Sequence, residues 1–224
     1  MPIRRDDLYH VAGERLPATT AIIGILDRPY LRRWAARVAA EAVLSDPDKY
    51  NTAEKASLVP DQYRDDAAGR GKAVHAMIEA WGRGRPPEEA SIDRKFEGYR
   101  RGFLKFLRTW RPEPLHVEVV VYNLTHKYAG TVDLIARIGD AVWLLDFKTG
   151  KSVYFSYELQ TVAYRHTEHM IVGGTPQALP EIDSTGVVLL RDTGTFEFKE
   201  TAGDFELFLA LKEAYMRLRA AGQV

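Results

Sequence analysis

Gly139-Asp140 limits what this chain can fold into more than any other feature, because the dipeptide suits a two-residue hairpin turn and the runs on both sides alternate with period two. Such a turn pairs Ile138 with Ala141. Carried outward, that register sets Asp133 directly across from Asp146 and Thr131 across from Lys148. One face of the pair, Val132, Leu134, Ala136, Ile138, Ala141, Trp143, Leu145 and Phe147, is then wholly apolar, as a core-facing surface must be. The other carries Ile135, Val142 and Leu144 near the turn and Asp133, Asp146 and Lys148 at its far end. Two carboxylates opposed at ~5 Å repel unless a cation lies between them or one keeps its proton. A divalent metal is the economical explanation.

A third alternating run precedes the hairpin, with Val117, Val119 and Val121 interleaved with Glu118, Val120 and Tyr122. A two- or four-residue turn centred on Thr125-His126 brings Glu118 opposite Asp133, so Glu118 supports the acidic group. The 224 residues contain no cysteine, which excludes a disulfide framework, a thiol nucleophile and any thiolate-held zinc or iron–sulfur cluster. Histidine and carboxylates remain as ligands. With 31 basic and 31 acidic side chains, the net charge gives no broadly basic coat for nucleic acid, although a local basic patch is still open. The first residues lack the apolar stretch of a signal peptide and no run approaches a membrane span, so the expectation is a soluble, cytoplasmic protein with no membrane partner.

Upstream of His116 the spacing is helical. Tyr30 to Leu44 reads as a helix stopped by Ser45-Asp46-Pro47-Asp48, and a polar stretch around Asp61 to Asp66 leads into a helix from Ala67 to Trp81. Ser91 reads as the N-cap of a basic helix to about Trp110, carrying Arg94, Lys95, Arg100, Arg101, Lys105 and Arg108, with Arg111 trailing. Downstream, Phe155 to about Met170 returns to helical spacing, Val187 to Leu190 reads as a buried strand, and a final amphipathic helix uses Phe205, Phe208 and Tyr215. The fold class is α/β: a mainly helical part (1–112) and a sheet core (113–224) in one domain, where a helical crossover joins an antiparallel meander to a fourth strand.

Asp146 and Lys148, two apart on one strand, share a face. Carboxylates that hold Mg²⁺ or Mn²⁺ beside an ammonium suit phosphodiester hydrolysis. Taken alone, Asp-Phe-Lys also reads as a surface ion pair, His75 as a helix-surface residue beside Glu79, Gln160 and Tyr164 as core, and the basic helix as a solvated face.

Gly130-Thr131-Val132-Asp133, Leu145-Asp146-Phe147-Lys148-Thr149-Gly150-Lys151, and Leu159-Gln160 with Ala163-Tyr164 together resemble the PD-(D/E)XK nuclease superfamily in its RecB-like exonuclease branch. Gly71-Lys72-Ala73-Val74-His75 is similar to that branch's Gly-Xaa-Xaa-Xaa-His motif, and the resemblance runs from about Thr19 to Arg165. It implies a restriction-endonuclease-like αβββαβ core and an enzyme, a Mg²⁺- or Mn²⁺-dependent deoxyribonuclease, exonuclease rather than endonuclease. It also implies that His75, Asp133, Asp146 and the Phe147 backbone carbonyl hold the metal and that Lys148 assists attack. Gln160 and Tyr164 then line the site or grip DNA, single- or double-stranded, and Arg100 and Arg101 of the basic helix are candidate phosphate contacts. Val132-Asp133 replaces the superfamily's Pro-Asp, as is usual in this branch. Without cluster cysteines the chain resembles small phage-encoded nucleases, which implies a bacterial or phage-infected cytoplasm and, as partners, a second copy or a recombination protein. A catalytically silent nucleic-acid-binding or assembly subunit on the same fold is the alternative.

Overall fold

The runs flanking Gly139-Asp140 form the hairpin that their pattern predicts. The computed structural model of the chain describes residues 3–5, 7–26, 28–89 and 92–224. It opens with three short strands, β1 (Ile3–Arg5), β2 (Leu8–Val11) and β3 (Glu14–Pro17), followed by helix α1 (Thr19–Gly24). Helices α2 (Pro29–Ser45), α3 (Ala53–Ser57) and α4 (Val59–Gly82) come next. After two 3₁₀ turns, α5 (Glu97–Trp110) leads into β4 (Glu113–Asn123), β5 (Tyr128–Ile138) and β6 (Ala141–Lys148). Then follow α6 (Phe155–Arg165), β7 (His169–Val172), β8 (Thr175–Ala178), β9 (Ser184–Leu190), β10 (Phe196–Thr201) and α7 (Phe205–Ala220).

Met1–Ile25 with Ala73–Val224 make one compact unit and Leu26–Lys72 another. In the Leu26–Lys72 unit Val38 and Val59 are buried and Trp34 meets Tyr63 edge-on at 5.9 Å. Helix α4 starts at Val59 rather than Ala67. The polar stretch that masked its beginning is an exposed helical turn, stapled by an Arg64–Asp61 ion pair of 2.9 Å. The expected N-cap, Ser91, lies outside the described residues, and the basic segment begins with a 3₁₀ turn at Arg94–Phe96 capped by Asp93. Among the described residues no helix is long and apolar enough to cross a membrane.

The main sheet has seven strands in the order β10-β9-β6-β5-β4-β7-β8. Strands β4, β5 and β6 are antiparallel neighbours, and α6 carries the chain across to β9, which lies parallel to β6 with Lys148 against Leu189. The helix from Phe155 ends at Arg165, not Met170, because the Thr167 hydroxyl donates to the Tyr164 carbonyl and the chain turns into β7, where Met170 pairs with Val121. The Gly173-Gly174 turn, with φ of 58° and 85°, then closes a β7–β8 hairpin. The N-terminal sheet β1-β2-β3 was also unexpected, since strands of three or four residues are too short to display a period.

The core divides by sheet face. On one side Tyr99, Phe103 and Phe106 of α5, with Val74, Met77 and Ile78 of α4, pack on Leu134, Ala136, Leu145, Phe147, Val188 and Leu190. A second cluster joins Val119, Val121, Val132, Ile135 and Leu144 to Tyr164 of α6. Val132 therefore does not share a face with Leu134, as strict alternation requires. The alternation breaks at Asp133, opposite Glu118, whose backbone is left-handed (φ 46°) in mid-strand.

Candidate metal centre

Leu145 and Phe147 point at α5, where the Phe147 ring meets Phe103 and Phe106 edge-on at 5.7 Å each. By alternation Asp146 and Lys148 face the other way, under α6. Asp146 is buried. Its Oδ1 accepts from Gln160 Nε2 at 3.0 Å, and the same Nε2 donates to the Tyr164 hydroxyl at 3.0 Å. The Tyr164 ring lies against Gly130, where a Cβ would stand 2.2 Å from Cε1, so a residue without a side chain is what lets α6 close on β5.

Lys148 Nζ lies 2.6 Å from Asp146 Oδ2, so this buried oxygen is held by a counter-charge. The ammonium also sits 5.0 Å from the centre of the Tyr157 ring. Burial pushes the Asp146 carboxyl up, the Lys148 charge pulls it back and Asp133 adds to the rise. For Lys148, burial pulls down, but Asp146 and Asp133 outweigh it and keep the ammonium charged above its ordinary range.

Glu118 sits between the pairs Val117–Leu134 and Val119–Val132, and hence across from Asp133, because the turn closed by Asn123 and Tyr128 is the four-residue form centred on Thr125-His126. Neither residue joins the regular ladder. The left-handed backbone at Glu118 breaks the strand's alternation at that point. His75 of α4 comes to the same place: Nδ1 is 3.1 Å from Glu118 Oε1 and 3.3 Å from Asp133 Oδ1. Ligand atoms of His75, Glu118 and Asp133 all lie within 4.8 Å of one another.

The register stops one step short of the expected Asp133–Asp146 pair. The β5–β6 ladder ends at Leu134–Leu145, and Asp133 Oδ2 instead accepts the Phe147 backbone N–H at 2.7 Å. Asp133 thus belongs with His75 and Glu118, while Asp146 is occupied by Gln160 and Lys148. Phe147, a candidate ligand through its carbonyl, contributes its N–H to holding Asp133.

Burial disfavours an imidazolium at His75, but the hydrogen bonds and charges of Asp133 and Glu118 overcome it and raise the group to about 10. The proton is the cation that keeps two carboxylates together. An unfolded imidazole titrates near 6.5, so this charge stabilises the metal-free fold fully below that pH and the contribution is lost as pH rises through about 10. Metal binding needs the neutral ring. At pH 8, Mn²⁺ is expected to displace one proton, with affinity rising about tenfold per pH unit up to about 10. Calorimetry in two buffers of different ionisation heat counts that proton, and a count of zero removes His75 from the ligand set.

The donor set fits a small divalent ion. Adjacent ligands of an octahedral ion at ~2.1 Å are ~3 Å apart, close to the 3.1 and 3.3 Å found here. A cavity of about 460 Å³ opens over these groups, lined by His75, Glu118, Asp133, Lys148, Gln160 and Tyr164, and also by Tyr9, Ala18, Thr19, Thr20, Val120, Gly130 and Thr131. The N-terminal residues in this lining carried no expected role, since their sheet was not legible.

Arg100 and Arg101 are not brought to the centre. Both lie on α5, which packs on the sheet face away from Asp146 and Lys148. Arg100 pairs with Glu97 through Nε at 3.2 Å and Nη2 at 2.5 Å, and its Nη1 donates to the Glu88 carbonyl at 3.0 Å. Arg101 is exposed beside Gly194. No protein-family model matches the chain, and no curated protein matches it.

Proposed function

We propose that this chain is a Mg²⁺- or Mn²⁺-dependent nuclease that hydrolyses DNA phosphodiester bonds, acting at strand ends, on a restriction-endonuclease-like core. The observation that carries the reading is the meeting of His75, Glu118 and Asp133 within 4.8 Å, at a cavity that Lys148 also lines. The three-stranded meander β4-β5-β6, the α6 crossover and the parallel β9 support the core assignment.

His75, Glu118 and Asp133 would hold the ion. When bound, it supplies positive charge at the scissile phosphate and makes an attacking water more acidic. The Lys148 ammonium donates to a phosphate oxygen as negative charge builds there. Asp146 holds Lys148 in place and is itself oriented by the Gln160 amide. In the overall step the water oxygen bonds to phosphorus, the phosphorus–oxygen bond to the leaving sugar breaks, and that sugar oxygen gains a proton. An imidazole ligand favours Mn²⁺ over Mg²⁺ compared with an all-oxygen site.

End-labelled single- and double-stranded DNA incubated with Mg²⁺, Mn²⁺ or EDTA tests the proposal. Cleavage is expected in both ions, faster in Mn²⁺ and absent in EDTA. Intact substrate in every condition, with Mn²⁺ bound to the protein, would leave the silent-subunit alternative standing.

A further inference from the structure

The wall of the cavity beyond the metal centre is built by the N-terminal segment, and the nuclease chemistry makes no use of it. Tyr9 of β2 is buried, and its hydroxyl lies 2.9 Å from Thr131 Oγ1. Just after β3, Ala18 forms a parallel bridge to Ala129, and the buried Thr19 hydroxyl donates to the Ala129 carbonyl at 3.0 Å. Three separate contacts therefore fasten this segment to β5 at residues 129 to 131. Tyr9, Ala18, Thr19 and Thr131 all line the cavity that Asp133 lines. Thr131 precedes Asp133 by two residues, which along a strand is roughly 7 Å. That is the reach of one nucleotide. The volume of about 460 Å³ lies toward the small end of the ~300–1,000 Å³ usual for small-ligand sites.

We infer that Tyr9 is a specificity-determining residue that limits the product to a single nucleotide. The terminal nucleoside of an unpaired strand fills the space between the metal centre and the Tyr9–Thr131 wall, and its polar edge meets the paired hydroxyls. The strand cannot advance further, so the phosphodiester presented to Lys148 and the ion is always the last one. This inference rests on the nuclease reading above and adds to it the size of the product and the residue that sets it. Tyr9 touches the departing nucleotide, not the reacting phosphorus.

The test compares wild type, Tyr9→Phe and Tyr9→Ala as full-length protein, each checked by thermal unfolding. Products from linear single-stranded DNA in Mn²⁺ are sized, and binding of 5′- and 3′-deoxynucleoside monophosphates is measured by calorimetry in Ca²⁺, expected to support binding without cleavage. Wild type should release mononucleotides. Tyr9→Phe keeps the wall and should keep that product size, whereas Tyr9→Ala should release di- and trinucleotides. Removing the hydroxyl in either variant should weaken monophosphate binding about tenfold. A folded Tyr9→Ala that still releases only mononucleotides and binds the monophosphate like wild type overturns the inference, as does a wild type whose products are longer. Cleavage by wild type without monophosphate binding also overturns it while leaving the nuclease reading intact. Tight, Tyr9-dependent monophosphate binding with no cleavage in any ion supports the wall and rejects the hydrolysis.

Discussion

Lys148→Ala is expected to lower DNA cleavage roughly 10²–10³-fold, the usual cost of losing one charged donor to a transition state, while Mn²⁺ binding is unchanged or tighter. The sign of the binding effect follows from charge: Lys148 is a cation close to the ligand group, and removing it favours an incoming ion. The same change leaves Asp146 buried with one oxygen that has neither hydrogen bond nor counter-charge. Breaking a buried pair on one side costs about 3–5 kcal/mol, and a chain of this size loses about 2–4 °C of melting temperature per kcal/mol. A loss on the order of 10 °C should follow, smaller at acid pH where Asp146 takes a proton. The double variant Asp146→Asn with Lys148→Met removes both charges and should recover most of the stability and none of the cleavage. Loss of Mn²⁺ binding by Lys148→Ala, measured by calorimetry, would show that the lysine supports the metal site rather than the chemistry.

The second large effect is expected at Asp133. Asp133→Asn preserves shape and leaves an oxygen to accept the Phe147 N–H, but it removes one of two carboxylates from the ligand group. Mn²⁺ affinity should fall at least ~100-fold, beyond what the loss of an outer-shell partner produces, and cleavage should disappear with it. His75 loses the partner that contributes most to raising it, so its imidazolium is weakened as well. Both readouts come from one calorimetric experiment, because the proton released on metal binding at pH 8 should shrink together with the affinity. Near-normal Mn²⁺ affinity in a folded Asp133→Asn protein would place the ion elsewhere, with Asp146 the next carboxylate to examine.

The parts of the centre that were legible in the sequence are those fixed by long strands with marked turns. Gly139-Asp140 sets the β5–β6 register out to Leu134–Leu145, and the turn around Thr125-His126 brings Glu118 across from Asp133. Both strands are long enough for their alternation to be counted. What the period could not carry is the place where it stops. Glu118 leaves extended geometry, and there Asp133 also meets His75, a residue brought in by a helix. No pattern of neighbouring residues reports an irregular φ at a glutamate. The strands β1 to β3 and the β7–β8 hairpin were lost for a different reason, since three or four residues do not define a repeat, although Gly173-Gly174 signals the second turn. The charge of the basic run on α5 does not say which way the helix faces. Its apolar side, Tyr99, Phe103 and Phe106, decides that by packing on the sheet face away from Asp146.

Glu118 leaves the chain with a divided allegiance. A left-handed backbone costs a residue with a Cβ about 1–2 kcal/mol, a cost that glycine escapes, so the main chain at 118 favours glycine while a bound ion would favour a carboxylate. On the proposed nuclease reading, endurance and hydrolysis therefore pull this position in opposite directions: glycine at 118 would relieve the main chain and leave the ligand group one carboxylate short.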